Sequence, residues 1–208
     1  MKFFHSTQTM STVVHMVLEE VGAKYTPFEV SFQREVGLKE LEAVNPLGAV
    51  PTIVTDEGEV LTQAPAILEM IADQHPGKKL LAPAGSMERL RTLAWVSYVS
   101  SDLRPCLVPL FGVEDMTTSE PARAEIKAWA LGRLKDHLEY VDQSLKGKTW
   151  VMGDAFTIAD PILFMVTTWI KYDVDTSKYT HLTAWRARVA ARPTIHRVLE
   201  EEDMLEDV

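Results

Sequence analysis

The chain has 208 residues, of which 46% are hydrophobic and 25% are charged, and these fractions are typical of soluble globular proteins. Its formal net charge of −9 argues against a nucleic-acid binder, because such proteins carry a basic face. No apolar run approaches the roughly 20 residues that cross a bilayer, so we expect a cytoplasmic protein with no membrane partner.

The first part of the chain alternates short strands and helices. In chain order the patterns predict a strand at 1–5, a helix at 11–21, a strand at 24–31, a helix at 38–44, two strands within 45–62 and a helix at 64–73. Gly22 is expected to end the first helix. The order β-α-β-α-β-β-α predicts a small α/β domain.

A segment rich in proline and glycine, HPGKKLLAPAGS, predicts a linker, and everything beyond it has a helical pattern. Leucines and valines at spacings of three and four predict a long helix from Leu90 to Leu103, which should kink or end at Pro105. Further helices are predicted at 131–145, 157–171, 181–191 and 194–202. The acidic stretch EEEDMLEDV, from Glu200 onward, is expected to be solvated and partly frayed, with a binding tail as the alternative.

The stretch NPLGAVPTIV predicts a turn followed by a strand that opens at Pro51. Proline cannot donate to a sheet ladder, so it is expected at a strand start, and the Val50–Pro51 bond is a candidate cis peptide. Such a bond would leave the backbone N–H and C=O of Val50 pointing outward. These two groups would then be able to pair with an extended peptide, as one more strand does.

The stretch GDAFTIAD predicts the start of a buried helix. Thr157 and Asp160 are three residues apart, as in a capping box, in which each side chain satisfies a backbone donor. Pro161 fits the first turn of a helix, where its missing N–H costs little. This motif has a structural explanation.

The stretch FFHSTQTMSTVV places several hydroxyl side chains between a strand and a helix. They are suited to capping the helix, cradling an anion or activating a nucleophile. The absence of glycine argues against a phosphate cradle. Ser11 therefore remains a candidate helix cap or hydrogen-bond donor.

The segments NPLGAVP, GEVLTQAPAIL and GDAFTIAD, together with ARP near Arg192, resemble the glutathione S-transferase family, and most closely its bacterial beta-like group. The resemblance implies an α/β thioredoxin-like domain at 1–77 that binds glutathione. It also implies an all-helical domain at 86–208 with a pocket for the acceptor substrate. Members of the family usually form dimers, so we expect a homodimer.

The resemblance implies roles for individual residues. Met10 stands where the beta-like group has its cysteine, His5 replaces a tyrosine, and Gln63 and Ala64 replace an acidic residue and a serine. Ser11, and after it Thr9, are the candidate catalytic donors to the glutathione thiolate. The implied glutathione contacts are Met10, Arg34, Val50, Pro51, Gln63, Ala64, Asp102 and Arg104, and the implied acceptor pocket includes Leu107, Phe111 and Trp169. Four of these residues have alternative structural roles: gap-filling core for Met10, helix capping for Gln63, a surface charge at a helix end for Arg104 and core packing for Trp169.

The function expected from this resemblance is detoxification, in which glutathione acts as co-substrate and its thiolate adds to a small hydrophobic electrophile, with no metal. Two alternatives stay open: a non-catalytic protein of the same fold that binds ligands or proteins, and a glutathione-dependent isomerase or reductive enzyme. The single cysteine, Cys106, excludes an intrachain disulfide. It is either a packed, inert side chain or a nucleophile.

Overall fold

The computed structural model describes residues 1–170 and 174–207. The chain forms two compact units. The first comprises Met1–Ala82 and Ala190–Val208, and the second comprises Pro83–Val189.

The first unit has the predicted order of strands and helices. Its elements up to the linker are β1 (Lys2–His5), α1 (Met10–Val21), β2 (Thr26–Glu29), α2 (Leu38–Val44), β3 (Thr52–Val54), β4 (Val60–Thr62) and α3 (Ala64–Gln74). The four strands form one mixed sheet in the order β2-β1-β3-β4. β1 runs parallel to β2, and β3 runs antiparallel to both β1 and β4.

Both faces of the central strand β1 are buried, because successive side chains point to opposite faces of a sheet. Phe4 packs with Val30 and Leu41 on one face. On the other face the Phe3 ring meets the edge of Tyr25, with ring centroids 5.8 Å apart. The helices that follow β1 and β2 therefore cover a sheet whose centre is apolar on both sides.

The second unit is helical, as predicted. Its elements are α4 (Met87–Tyr98), a π-helical segment (Val99–Leu103), a 3-10 turn (Arg104–Leu107), α5 (Val108–Met116), α6 (Glu120–Leu145), α7 (Ala159–Ile170) and α8 (Thr180–Ala190). The expected break near Pro105 is confirmed, since the α-helical hydrogen-bond pattern of α4 gives way before this residue. The predicted end of the helix at 157–171 falls on residue 171, which lies outside the described residues.

The last helix, α9 (Pro193–Glu201), packs with α1 in the first unit, whereas the predicted boundary at 86–208 grouped it with the helical domain. Its side chains Ile195, Val198 and Leu199 are buried. Arg197 pairs with Glu19 and Arg192 pairs with Glu20. These contacts explain why α9 belongs to the first unit.

The expectation of a solvated acidic terminus is wrong for Glu202. This residue follows α9 directly and is only 4% exposed.

In the described part of the chain, no helix combines the length and apolarity needed to cross a membrane.

Candidate functional site

The register of the sheet brings four predicted site segments to one edge. Phe4 at the end of β1 lies opposite Thr52 at the start of β3, and Thr52 lies opposite Thr62 at the end of β4. The loop after β1, the Val50–Pro51 turn before β3 and Gln63 after β4 therefore meet at this edge. β2 ends there as well, because Glu29 is paired with His5.

Thr9 caps helix α1, so the helix begins one residue earlier than predicted and Ser11 is not its cap. Thr9 has an extended backbone, and its Oγ1 accepts a hydrogen bond of 3.1 Å from the Ser11 N–H. Ser, Thr, Asp and Asn favour this position because their short side chains reach the free amides of the first turn. Met10, which the resemblance places at the position of the family's cysteine, is half-buried at the first helical position.

The Ser11 side chain is fully buried and takes part in the loop's own hydrogen bonds. Its Oγ accepts from the Ser6 N–H at 2.9 Å and lies 2.9 Å from the Ser6 carbonyl oxygen and 2.7 Å from Thr9 Oγ1. Ser11 therefore supports the turn from inside. This placement does not favour the predicted direct contact between Ser11 and a thiolate.

Thr9 is the more accessible of the two hydroxyls, since its side chain is half-buried. Its Oγ1 lies 2.8 Å from the Ser6 carbonyl oxygen, to which Ser11 can also donate. If the Thr9 hydroxyl donates to another acceptor, the Ser6 carbonyl can still accept a hydrogen bond from Ser11. Thr9 is thus able to donate to a ligand without leaving a buried acceptor unpaired.

The Val50–Pro51 peptide bond is cis, which confirms the prediction. Asn45, which is 4% exposed, braces the turn. Its Nδ2 donates to the Ala49 carbonyl at 2.9 Å and to Thr52 Oγ1 at 3.0 Å. Sequence reasoning assigned Asn45 to the turn but missed these two bonds across it.

Gln63 precedes helix α3 with a φ of 69° and a ψ of 114°, a backbone conformation that residues other than glycine rarely adopt. Its side chain is exposed and makes no capping hydrogen bond, so the capping alternative is wrong. The amide is therefore available to a ligand. Ala64, which follows, is buried, and Pro65 occupies the first turn of α3.

Arg34 lies in the turn after β2 with 73% of its side chain exposed. Its guanidinium donates to Glu29 at 3.2 Å and to Ser31 Oγ at 3.3 Å. Contact with a ligand carboxylate would have to compete with this exposed ion pair. Such pairs are worth only ~0–1 kcal/mol, so the competition costs little.

His5 is the residue that the resemblance places at the position of the family's tyrosine. Its ring stacks on Phe3, with centroids 5.2 Å apart, and therefore faces the body of the first unit. Burial lowers the pKa of His5, and the nearby His15 lowers it further. His5 Nδ1 is buried and has no hydrogen-bond partner among the described residues. These features describe a neutral, packed imidazole.

The remaining predicted residues belong to the second unit. Asp102 and Arg104 are exposed at the break after α4, and the Asp102 carboxylate accepts a hydrogen bond of 2.9 Å from Ser101 Oγ. Phe111 is 57% exposed and Trp169 is half-buried. Leu107 is only 1% exposed, so its predicted place in an acceptor pocket is not favoured.

Cys106 is buried, and its Sγ donates to the Asp102 carbonyl oxygen at 3.2 Å. Burial raises the pKa of this thiol. A thiol with a raised pKa carries little thiolate at neutral pH and is a poor nucleophile. The structure therefore supports the packed, inert role.

The fold and the site edge define a thioredoxin-like unit joined to a helical one, and comparisons with known proteins agree with this class. The family model described as the glutathione S-transferase N-terminal domain matches residues 9–74, and the C-terminal domain model matches residues 91–193. GstA, a glutathione S-transferase of Escherichia coli O157:H7, is 33% identical over 98% of this chain and 100% of its own length. The chain belongs to the glutathione S-transferase family.

Solved structures refine the assignment. A sphingomonad glutathione S-transferase complexed with glutathione is 35% identical, with a TM-score of 0.88 over 98% of this chain and 100% of that one. The bacterial beta class enzyme of Sphingomonas chungbukensis is 33% identical, with a TM-score of 0.86 over 99% and 100%. Within the family, this protein falls in the bacterial beta-like group.

Proposed function

We propose that the protein joins the thiol of glutathione to small hydrophobic electrophiles. The observation that carries the proposal is the full-length likeness to the sphingomonad enzyme, whose structure contains glutathione. The convergence of the α1 loop, the Val50–Pro51 turn and Gln63 at one sheet edge supports it. Residues of the first unit supply the contacts to the backbone of glutathione and to its γ-glutamyl and glycyl ends.

The first requirement is to bind the tripeptide. The backbone N–H and C=O of Val50 pair with it as an added strand. The exposed amide of Gln63 and the backbone N–H of Ala64, at the start of α3, hold its γ-glutamyl end. Arg34 meets the glycyl carboxylate.

The second requirement is to keep the thiol ionised. Lowering its pKa by ~2 units from about 8.5 takes about 2.7 kcal/mol. The amino end of helix α1 provides ~0.3–1 kcal/mol. A hydrogen bond to the charged sulfur adds ~1.5–3 kcal/mol, so one side-chain donor is sufficient.

Thr9 supplies this donor, and Ser11 supports the loop from inside without contacting the sulfur. When the thiolate binds, the Thr9 proton turns from the Ser6 carbonyl to the sulfur, and Ser11 continues to donate to the carbonyl. Met10 cannot form a mixed disulfide, so the proposed chemistry is attack of the thiolate on carbon rather than disulfide exchange. This order reverses the one expected from the sequence, in which Ser11 came first.

In the reaction the thiol proton passes to water and the sulfur gives an electron pair to the electrophilic carbon. A C–S bond forms, and a leaving group departs with its bonding pair. Phe111 and Trp169 offer apolar surface to the acceptor, and Arg104 offers a positive charge. In a homodimer the exposed Asp102 carboxylate reaches the glutathione amine bound by the partner subunit.

Calorimetry with glutathione, paired with a conjugation assay on an activated aryl chloride, tests the function. We expect binding at millimolar glutathione or below, together with turnover. Absence of binding at about 10 mM glutathione would overturn the proposal, since enzyme KM values are typically ~1 μM–1 mM. Binding without turnover on a panel of electrophiles would favour the non-catalytic alternative.

Two variants test the donor. Thr9→Val should lower kcat/KM by about 10- to 100-fold and raise the pKa of the bound thiol, measured from its thiolate absorbance. Thr9→Ser keeps the hydroxyl and serves as the matched control, with activity close to that of the wild type. Equal thiol pKa values in the valine and serine variants would exclude Thr9 as the donor.

A further inference from the structure

We propose that Glu202, beyond the end of α9, is a positioning residue that fixes the turn at which the glutathione thiolate is held. The proposal rests on the function proposed above. Sequence reasoning assigned Glu202 to a solvated tail, but its side chain is only 2% exposed. The carboxylate therefore needs partners inside the first unit.

The partners of Glu202 lie on both sides of the candidate donor Thr9. Oε2 accepts a hydrogen bond of 2.7 Å from Thr12 Oγ1 and one of 3.3 Å from the Gln8 N–H. One carboxylate oxygen is therefore hydrogen-bonded to the chain on both sides of Thr9, at Gln8 before it and at Thr12 in the first turn of α1. Displacing that oxygen would release the loop and the first turn of α1 together.

The backbone conformation of Gln8 explains why the hydrogen bond to Glu202 is needed. Its φ of 59° lies in the left-handed region, which costs residues other than glycine roughly 1 kcal/mol or more. The hydrogen bond from Gln8 to Glu202 offsets that cost. Without it, a relaxed Gln8 would move Thr9 and Met10, which follow directly.

The carboxylate is itself held in place. His15 Nδ1 lies 2.8 Å from Glu202 Oε1, and the imidazole is 8% exposed. The ion pairs of Arg197 and Arg192 fasten α9 to α1. Glu202 is thus held on one side by α9 and on the other by His15. Its hydrogen bonds to Gln8 and Thr12 then fix the position of the turn.

A purely structural role would also place an acid here, so the experiment measures site geometry as well as stability. Glu202→Ala is compared with Glu200→Ala, which removes the same charge from an exposed position two residues earlier, in the last turn of α9. We expect Glu202→Ala to raise the Kd for glutathione about tenfold and to speed amide hydrogen exchange at Gln8. Glu200→Ala should change neither.

The conservative variant Glu202→Gln sharpens the test. Its amide oxygen can still accept from Gln8 and Thr12 while its NH2 group donates to His15 in the other tautomer. We expect Kd within about threefold of the wild type. If Glu202→Ala does not fold, Thr12→Val removes the shortest bond alone, with Thr12→Ser as its control, and only the valine variant should weaken binding.

The outcomes separate the two proposals. A wild-type protein that does not bind glutathione overturns the proposed function. A wild-type protein that binds, with Kd and Gln8 exchange unchanged in Glu202→Ala at a temperature where it stays folded, overturns only the role of Glu202. The same holds for Thr12→Val if that variant is the one measured.

Discussion

Trp185 on α8 donates a hydrogen bond of 3.0 Å from its indole Nε1 to Asp160 Oδ1 in the first turn of α7. The Val151 N–H donates to the same oxygen, and the Thr157 N–H donates to Oδ2, both at 2.9 Å. Asp160 is fully buried, and burial raises its pKa to about 6 despite these donors. One carboxylate therefore joins two helices and a loop of the second unit.

This raised pKa predicts that the contribution of Asp160 to stability falls as pH rises. The ordinary pKa of 3.8 applies in the unfolded chain, so between about pH 4 and pH 6 that chain loses a proton that the folded protein keeps. The free energy of unfolding should decrease by about 2 kcal/mol over this interval. Urea unfolding across the range, compared with Asp160→Asn, isolates the effect because asparagine does not titrate.

Two results would contradict this prediction. The first is a difference between the wild type and Asp160→Asn that stays constant from pH 4 to pH 6. The second is a Trp185→Phe variant in which the pKa of Asp160 falls. Loss of the indole donor removes a hydrogen bond to the ionised form, so that pKa should rise.

Cys106 should react slowly with thiol reagents in the folded protein. Its sulfur is buried and donates to the Asp102 carbonyl, and burial raises its pKa. We expect labelling by an aromatic disulfide to be about 100-fold slower in the native protein than in denaturant. Rapid stoichiometric labelling at neutral pH, with no loss of secondary structure, would restore Cys106 as a candidate nucleophile.

The parts of the fold that sequence reasoning predicted depend on neighbouring residues. The order of strands and helices follows from hydrophobic spacing, and the cis Val50–Pro51 bond follows from a proline at a strand start. In the capping motif the Asp160 carboxylate accepts from the Thr157 N–H and Thr157 Oγ1 accepts from the Ala159 N–H, so the motif needs only residues 157–160. Each of these signals lies within one short segment, so one sequence is enough to detect it.

The parts that it missed depend on residues far apart in the chain. Glu202 bonds to Thr12 across 190 positions, and only the packing of α9 on α1 brings the two together. Ser11 looked available because its burial depends on the fold around the loop. The described helix α5 went unpredicted because Pro109 and Gly112 interrupt its helical pattern, and Gly112 has a non-helical backbone.

Asn45 should be essential to the Val50–Pro51 turn. Asn45→Ala loses the two bonds from Nδ2 and leaves the Leu47 N–H without the Oδ1 acceptor at 3.2 Å. We expect a loss of about 2–3 kcal/mol of stability and weaker glutathione binding. Thr52→Val removes a hydroxyl from the same network but keeps the Asn45–Ala49 bond, so it should cost less. A larger loss of stability in Thr52→Val than in Asn45→Ala would show that Thr52, rather than Asn45, is the main support of the turn.

Gln63 should show a trade-off between stability and binding. Its φ of 69° and ψ of 114° suit glycine, so Gln63→Gly should relieve strain and raise the free energy of unfolding by about 1 kcal/mol. The same change removes the amide proposed to hold the γ-glutamyl end, and Kd for glutathione should rise about tenfold.

Gln63→Ala is the matched control for that trade-off, because it removes the amide and keeps the strained backbone. Its Kd should rise as much as that of Gln63→Gly, while its stability stays near that of the wild type. Unfolding in urea and calorimetry with glutathione measure the two effects separately. If the alanine variant binds like the wild type and only the glycine variant binds weakly, the backbone conformation rather than the amide determines glutathione affinity at this position.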